Sequence, residues 1–212
     1  MKSFKKQAGF TLVEIAIVLV IVGLLLAGVL KGQELIESSK IKNIGKDMDA
    51  VSAGVLSYRD RYRALPGDET INTTTQNGWA ANVGGGNGNG LIGVTGGDPY
   101  AVAAGETVNA FRALRYAGFI SGSAVLAGAA ARPVHAGGGT IALGNGVYGL
   151  SGNTVCLNGL SGKFAGALDR ILDDGVNNTG VIRSSIVAPA GAAPVAAAYI
   201  EDTQNFFLCK QL

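Results

Sequence analysis

The chain has 212 residues, of which 48% are hydrophobic and 15% charged, with 33 glycines, 5 prolines and 2 cysteines. The apolar share excludes a disordered chain, and the lack of a Gly-X-Y period excludes collagen. A formal charge of +2 makes no whole-chain case for nucleic-acid binding, and two cysteines cannot build a four-ligand metal centre.

From Phe10 to Leu30 the chain is apolar apart from one charge, Glu14. A helix of that length spans about 30 Å, one bilayer core. The nine residues before it, MKSFKKQAG, carry Lys2, Lys5 and Lys6, so this end is expected on the cytoplasmic side. The small residues in LAGVLKG leave an ordinary secretory cleavage after the apolar run open. The junction before it is more specific. Gly9-Phe10-Thr11-Leu12-Val13-Glu14 resembles the prepilin cleavage and methylation motif of type IV pilins and type II secretion pseudopilins. The resemblance implies cleavage after Gly9 by a prepilin peptidase, N-methylation of Phe10 as the new N-terminus, and an assembly role for Glu14. Loss of the leader removes three lysines and takes the formal charge from +2 to −1.

Glu14 has an independent physical argument. A carboxylate inside a membrane span costs about 3 kcal/mol on insertion scales, so it calls for a partner. The amine of a cleaved Phe10 lies four residues before it, and an axial offset between stacked subunits would pair the glutamate of one with the amine of another. The plainer alternative is an ordinary anchor that tolerates a glutamate near the interface.

Beyond the apolar run, Ile41, Ile44, Met48, Val51, Val55, Tyr58 and Tyr62 recur in alternating steps of three and four, an amphipathic stripe on a continuing helix. The stripe suits packing on this chain's own globular part, with a parallel coiled coil as the alternative. Leu65-Pro66-Gly67-Asp68 should end the helix. Pilins of the family commonly carry a helix-weakening proline where Lys31 stands, a departure partly offset by Gly23, Gly28 and Gly32. The predicted organisation is a leader at 1–9, a membrane and polymerisation helix at 10–30, a stalk at 31–65 and a head at 66–212.

In the head, Gln76 to Pro99 is mostly Gly and Asn and reads as a long loop. Helices are predicted over Gly105–Gly118 and Ser161–Asp174. Strand-like runs are Thr140–Leu143, Gly146–Leu150, Thr154–Leu157, Gly180–Ala188, Val195–Glu201 and Phe206–Cys209. A long helix followed by a meandering antiparallel sheet gives an α+β fold. Ala64-Leu-Pro-Gly-Asp68, Gly86-Asn-Gly-Asn-Gly-Leu-Ile92, Tyr116-Ala-Gly-Phe-Ile120 and Leu168-Asp-Arg-Ile-Leu-Asp-Asp-Gly175 also resemble pilin-like proteins related to the major pseudopilin. Cys156 and Cys209 are free to pair outside the cytoplasm. The resemblance implies a C-terminal disulfide of the kind type IV pilins carry, with two buried thiols as the alternative.

Signals for catalysis are thin. Asp68-Glu69 and Asp173-Asp174 are adjacent carboxylates with no identifiable partner, the second reading as a helix exit. His135, the single histidine, reads as a loop residue. Gly84–Gly97 lacks the Gly-Lys-Ser/Thr ending of a phosphate cradle. Oxygen donors at Asp68, Asn87, Asn89 and Asp98 are weak calcium candidates, in line with calcium binding by related pseudopilins; no other cofactor is expected. Arg112, Arg115 and Arg132 make a small basic group without aromatic interleaving and read as solvated surface.

The expectation is a non-enzymatic filament subunit. Its partners would be copies of itself, the prepilin peptidase and the inner-membrane assembly machinery. It would sit in the inner membrane before assembly and in an extracellular pilus afterwards. A secretion pseudopilin and a non-polymerising anchored binding protein are the alternatives.

Overall fold

Helix α1 runs without interruption from Leu12 to Tyr62, 51 residues. It stays helical through Gly23, Gly28, Lys31 and Gly32. The computed structural model describes Gly9 and residues 11–70, 77–79, 85–101, 105–200 and 205–212. Most of the leader, Phe10, and parts of the predicted loop at 76–99 and of the predicted strand at 195–201 lie outside the described residues.

The chain divides into two units, Met1–Ser39 and Lys40–Leu212. In the first, α1 has no buried side chain in its apolar stretch, and residues such as Leu12, Leu19, Leu24 and Leu30 are all well over half exposed. On its surface Lys31 Nζ pairs with Glu34 Oε2 at 2.7 Å.

In the second unit the amphipathic stripe is buried. Ile41, Ile44, Met48, Val51, Val55 and Tyr58 enter one core with Phe111, Leu114, Leu143, Leu157, Leu168 and Leu208. The stripe therefore packs on the chain's own head, as its period allows. Two glycines on the same helix lie against this core, where a Cβ would make ordinary van der Waals contact: 3.5 Å from Leu168 Cδ2 at Gly45 and 3.5 Å from Ile120 Cγ2 at Gly54. Helix α1 ends at Tyr62, four positions before Pro66, where Arg63 turns to φ 57 and its N–H still reaches the Arg59 carbonyl at 2.8 Å. Gly67 (φ 81) then tucks against the next helix, since a Cβ there would meet the Glu106 carbonyl at 2.5 Å. Only glycine fits both that conformation and that approach.

Helix α2 (Glu106–Tyr116) buries Val108, Phe111 and Leu114. A sheet follows, built from β1 (Ile141–Asn145), β2 (Asn153–Leu160), β3 (Ile182–Ser185) and β4 (Phe206–Gln211), with helix α3 (Gly162–Leu172) between β2 and β3. The order is β1-β2-β4-β3, every pair antiparallel. The fold is α+β. The sheet is not a simple meander, because the last strand inserts between β2 and the edge strand β3. Ser161 caps α3, its Oγ accepting from Phe164 N–H at 3.3 Å.

Two predicted strands are corrected. Gly146–Leu150 contains a short 3-10 turn at Val147–Gly149, with Tyr148 at φ 53; the αL residues Gly146 and Tyr148 turn the chain away from the strand. Among the described residues, 195–200 pair with no strand. They are held by side chains: Ala197 N–H donates to Asn177 Oδ1 at 2.9 Å and Asn177 Nδ2 to the Val195 carbonyl at 3.0 Å. Alternating apolar residues signalled a strand there, but the Val195 carbonyl and Ala197 N–H are taken by the Asn177 amide instead of by a ladder.

Candidate processing and assembly site

The N-terminal site is built on the first turn of α1. Thr11 stands just before the helix, and its N–H and Oγ–H both donate to Glu14 Oε2 at 2.8 Å. In return Glu14 N–H donates to Thr11 Oγ1 at 3.2 Å. This is a reciprocal capping box: the three-residue spacing satisfies helix N–H groups that have no partner within the helix. It also puts a carboxylate at the positive end of the helix dipole. The Thr-x-x-Glu spacing is visible in the sequence, yet a reading centred on the membrane cost of Glu14 passes over Thr11. Gly9 is exposed with open space about its Cα, while Phe10 lies outside the described residues. The capping box therefore fixes Glu14 against its own helix start, and its exposed surroundings leave the carboxylate reachable.

The remaining candidates lie in the head. Asp68, Asn87 and Asn89 do come together. Asp68 accepts from Asn89 N–H at 3.1 Å and Gly90 N–H at 2.8 Å, and its carbonyl accepts from Gly88 N–H at 2.9 Å. Asn87 Oδ1 accepts from Asn89 N–H (3.0 Å) and Asn89 Oδ1 from Leu91 N–H (2.9 Å). Asp98 serves Tyr100 N–H at 2.8 Å and acts electrostatically on Arg132 and Tyr100. Both Asp68 carboxylate oxygens and the Asn87 and Asn89 Oδ1 atoms accept backbone N–H groups, so the 85–91 loop wraps Asp68 as backbone donors wrap an anion. A Cβ at Gly86 would lie 2.3 Å from the Asp68 backbone, so the wrap requires glycine at that position.

Glu69, beside Asp68, is buried and accepts the Tyr58 hydroxyl. Burial pushes its carboxyl above the ordinary carboxylate range, with the Asp68 charge adding to the rise and the Tyr58 hydrogen bond opposing it. Asp169, Asp173 and Asp174 bring carboxylate oxygens within 4.8 Å of one another, and each is used. Asp169 takes the Tyr199 hydroxyl and Gly175 N–H, Asp173 takes Ile182 N–H at 2.8 Å, and Asp174 takes Val176 N–H at 2.8 Å and the Thr179 hydroxyl. Together they shape the turn from α3 into β3.

The arginines are not solvated surface. Arg112 and Arg132 are buried; Arg112 Nε donates to the Ala124 carbonyl at 3.2 Å and Arg132 to the Pro99 carbonyl at 2.9 Å. Arg115 reaches the Ala131 carbonyl at 2.6 Å and the Ser121 carbonyl at 3.2 Å. Long irregular segments leave carbonyls without ladder partners, and guanidinium forks satisfy them. His135 is likewise buried, 2% exposed. Its Nδ1 accepts from Gly137 N–H at 3.0 Å and its Nε2 lies 2.9 Å from the Asn158 carbonyl, which fixes the neutral ring with Nε2 protonated. Cys156 and Cys209 face each other across β2 and β4 and form a disulfide.

No curated protein and no solved structure matches the chain. A family model does match at its start: residues 4–30 fit the prokaryotic N-terminal methylation motif. That match covers Gly9, Thr11 and Glu14 together with the apolar part of α1 that is exposed along its length, and both features fit a protein anchored in the inner membrane. The N-terminal segment of this chain is thus a prepilin-type methylation motif, the one that type IV pilins and pseudopilins share.

Proposed function

We propose that the chain is a structural subunit of a type IV pilus-like filament, processed after Gly9, methylated on Phe10 and polymerised through the first half of α1. The observation that carries the reading is the pairing of a methylation motif at residues 4–30 with a helix whose apolar residues are exposed along Leu12–Leu30. A helix apolar all round needs either lipid or other apolar helices about it. One segment then serves as membrane anchor before assembly and filament core afterwards. Glu14 carries assembly: its carboxylate, held at the helix start by Thr11, meets the amine of Phe10 on a neighbouring copy. The disulfide across β2 and β4 supports a pilus over a secretion pseudopilus, because a C-terminal disulfide is typical of type IV pilins and usually lacking in major pseudopilins.

Shearing cells and measuring the intact mass of the released chain tests this reading. The expected species is residues 10–212 with one added methyl, in quantity, in the sheared fraction. A processed chain that stays in the membrane supports the pseudopilin reading instead, and a retained leader sinks both. Glu14→Ala should be cleaved normally yet yield at most a small fraction of the sheared filament; full yield would remove Glu14 from assembly.

A further inference from the structure

The sequence contains five Asn-Gly steps, at Asn77, Asn87, Asn89, Asn145 and Asn158. Such steps can rearrange without an enzyme. The glycine nitrogen attacks the asparagine Cγ, a C–N bond forms, and the side-chain nitrogen leaves as ammonia. Water then opens the five-membered imide at either carbonyl, giving aspartate or isoaspartate. The reaction needs a glycine nitrogen free to lose its proton and an amide carbon free to swing towards it. A hydrogen bond on either group resists it, since that bond must be given up first.

The fold restrains four of the five. Gly88 N–H is bound to the Asp68 carbonyl at 2.9 Å and Gly146 N–H to the Gly152 carbonyl at 2.9 Å, while Gly90 N–H is bound to Asp68 Oδ2 at 2.8 Å. The side chains of Asn87 and Asn89 are held in the loop bonds described above, and Asn145, almost wholly buried, donates to the Gly93 carbonyl at 2.8 Å. Asn158, inside β2, has its Oδ1 fixed by Thr140 N–H at 2.6 Å and the Thr140 hydroxyl at 3.2 Å. The remaining step differs. Asn77 and Gly78 are both exposed, Gly78 has φ 75 with open space where a Cβ would stand, and among the described residues nothing accepts from its N–H.

We propose that Asn77 is a site of spontaneous deamidation, the fold having shielded the other four Asn-Gly steps. Water is the co-reactant and ammonia the leaving group. The product adds a negative charge two residues before Trp79, the chain's single tryptophan. Trp79 packs edge-on to Tyr62 at 5.2 Å and stacks on Tyr116 at 6.1 Å. By the isoaspartate route the main chain also lengthens by one atom just ahead of that aromatic seat.

The test ages the full-length chain in detergent micelles in mildly alkaline buffer, once folded and once in concentrated urea. Peptide mass mapping then follows the replacement of NH by O at each Asn-Gly step. In the folded protein Asn77 should convert several-fold faster than any of the other four, and Asn77→Gln should abolish the change in that peptide. In urea the rates should converge, because the restraining hydrogen bonds are gone. Conversion of Asn87, Asn89, Asn145 or Asn158 as fast as Asn77 in the folded chain overturns the proposal. An unchanged ranking in urea also overturns it, by showing that local sequence and not the fold sets the order.

Discussion

His135 is the residue whose chemistry most depends on its surroundings. Burial holds its pKa below the ordinary 6.5, with the Asn158 hydrogen bond and Asp47 opposing and Lys40 adding to the depression. The geometry agrees: a second ring proton on Nδ1 would point at Gly137 N–H, which now donates to it. A histidine with a depressed folded pKa stabilises the fold above its unfolded value and loses that contribution as pH falls below about 6.5. Glu69 and Asp169 run the other way, since burial raises both carboxyls and protonation relieves them as pH falls. The difference between wild type and His135→Gln isolates the ring. Thermal melts from neutral pH down to about pH 5 should show wild type losing stability relative to the variant; parallel curves would remove His135 as the source. The sequence showed a lone histidine among Ala and Gly but not its burial, because burial was supplied by a helix about ninety residues away. The contact is recorded by Asp47 Oδ2, which accepts from Ala136 N–H at 2.7 Å.

At the scale of elements, α1 was legible and the sheet only partly so. Steps of three and four place Ile44, Met48, Val51, Val55 and Tyr58 on one side by helix geometry alone, and that side is the buried one. Met48→Ala empties a fully buried position and should cost about 2–5 kcal/mol, read as a lowered denaturation midpoint of the head. A cost within the range of surface substitutions would mean the stripe is not in the core. Helices α2 and α3 fall within their predicted spans, framed by Gly105 and Gly118 and by Ser161 and Gly175. The strands were harder, because residues 146–150 and 195–200 have the alternation of strands without the partners. A strand exists only when another strand lies beside it, and pairing is not local.

For the molecule as a whole, the disulfide ties the last strand to the centre of the sheet. Cys156 and Cys209 are 53 residues apart and enclose α3 and β3. On the loop-entropy account such a closure contributes about 4 kcal/mol. Replacing both cysteines by serine should lower the stability of the head by about that amount and leave processing after Gly9 unchanged, since the methylation motif at residues 4–30 contains neither cysteine. Equal denaturation midpoints with and without the bridge would count against the entropic account. Sequence alone determined the features that depend on neighbours in the chain. These are the methylation motif at residues 4–30, the apolar run, the stripe of α1 and the caps of the short helices, read from residue identity, charge, length and a period of 3.6. Only the tertiary structure decided the insertion of β4 between β2 and β3, the burial of His135 and of the arginines, and the capture of Asp68 by the 85–91 loop. Each of those joins groups distant in sequence, and a side chain's partner there is set by where the backbone brings other donors and acceptors, which no local pattern encodes.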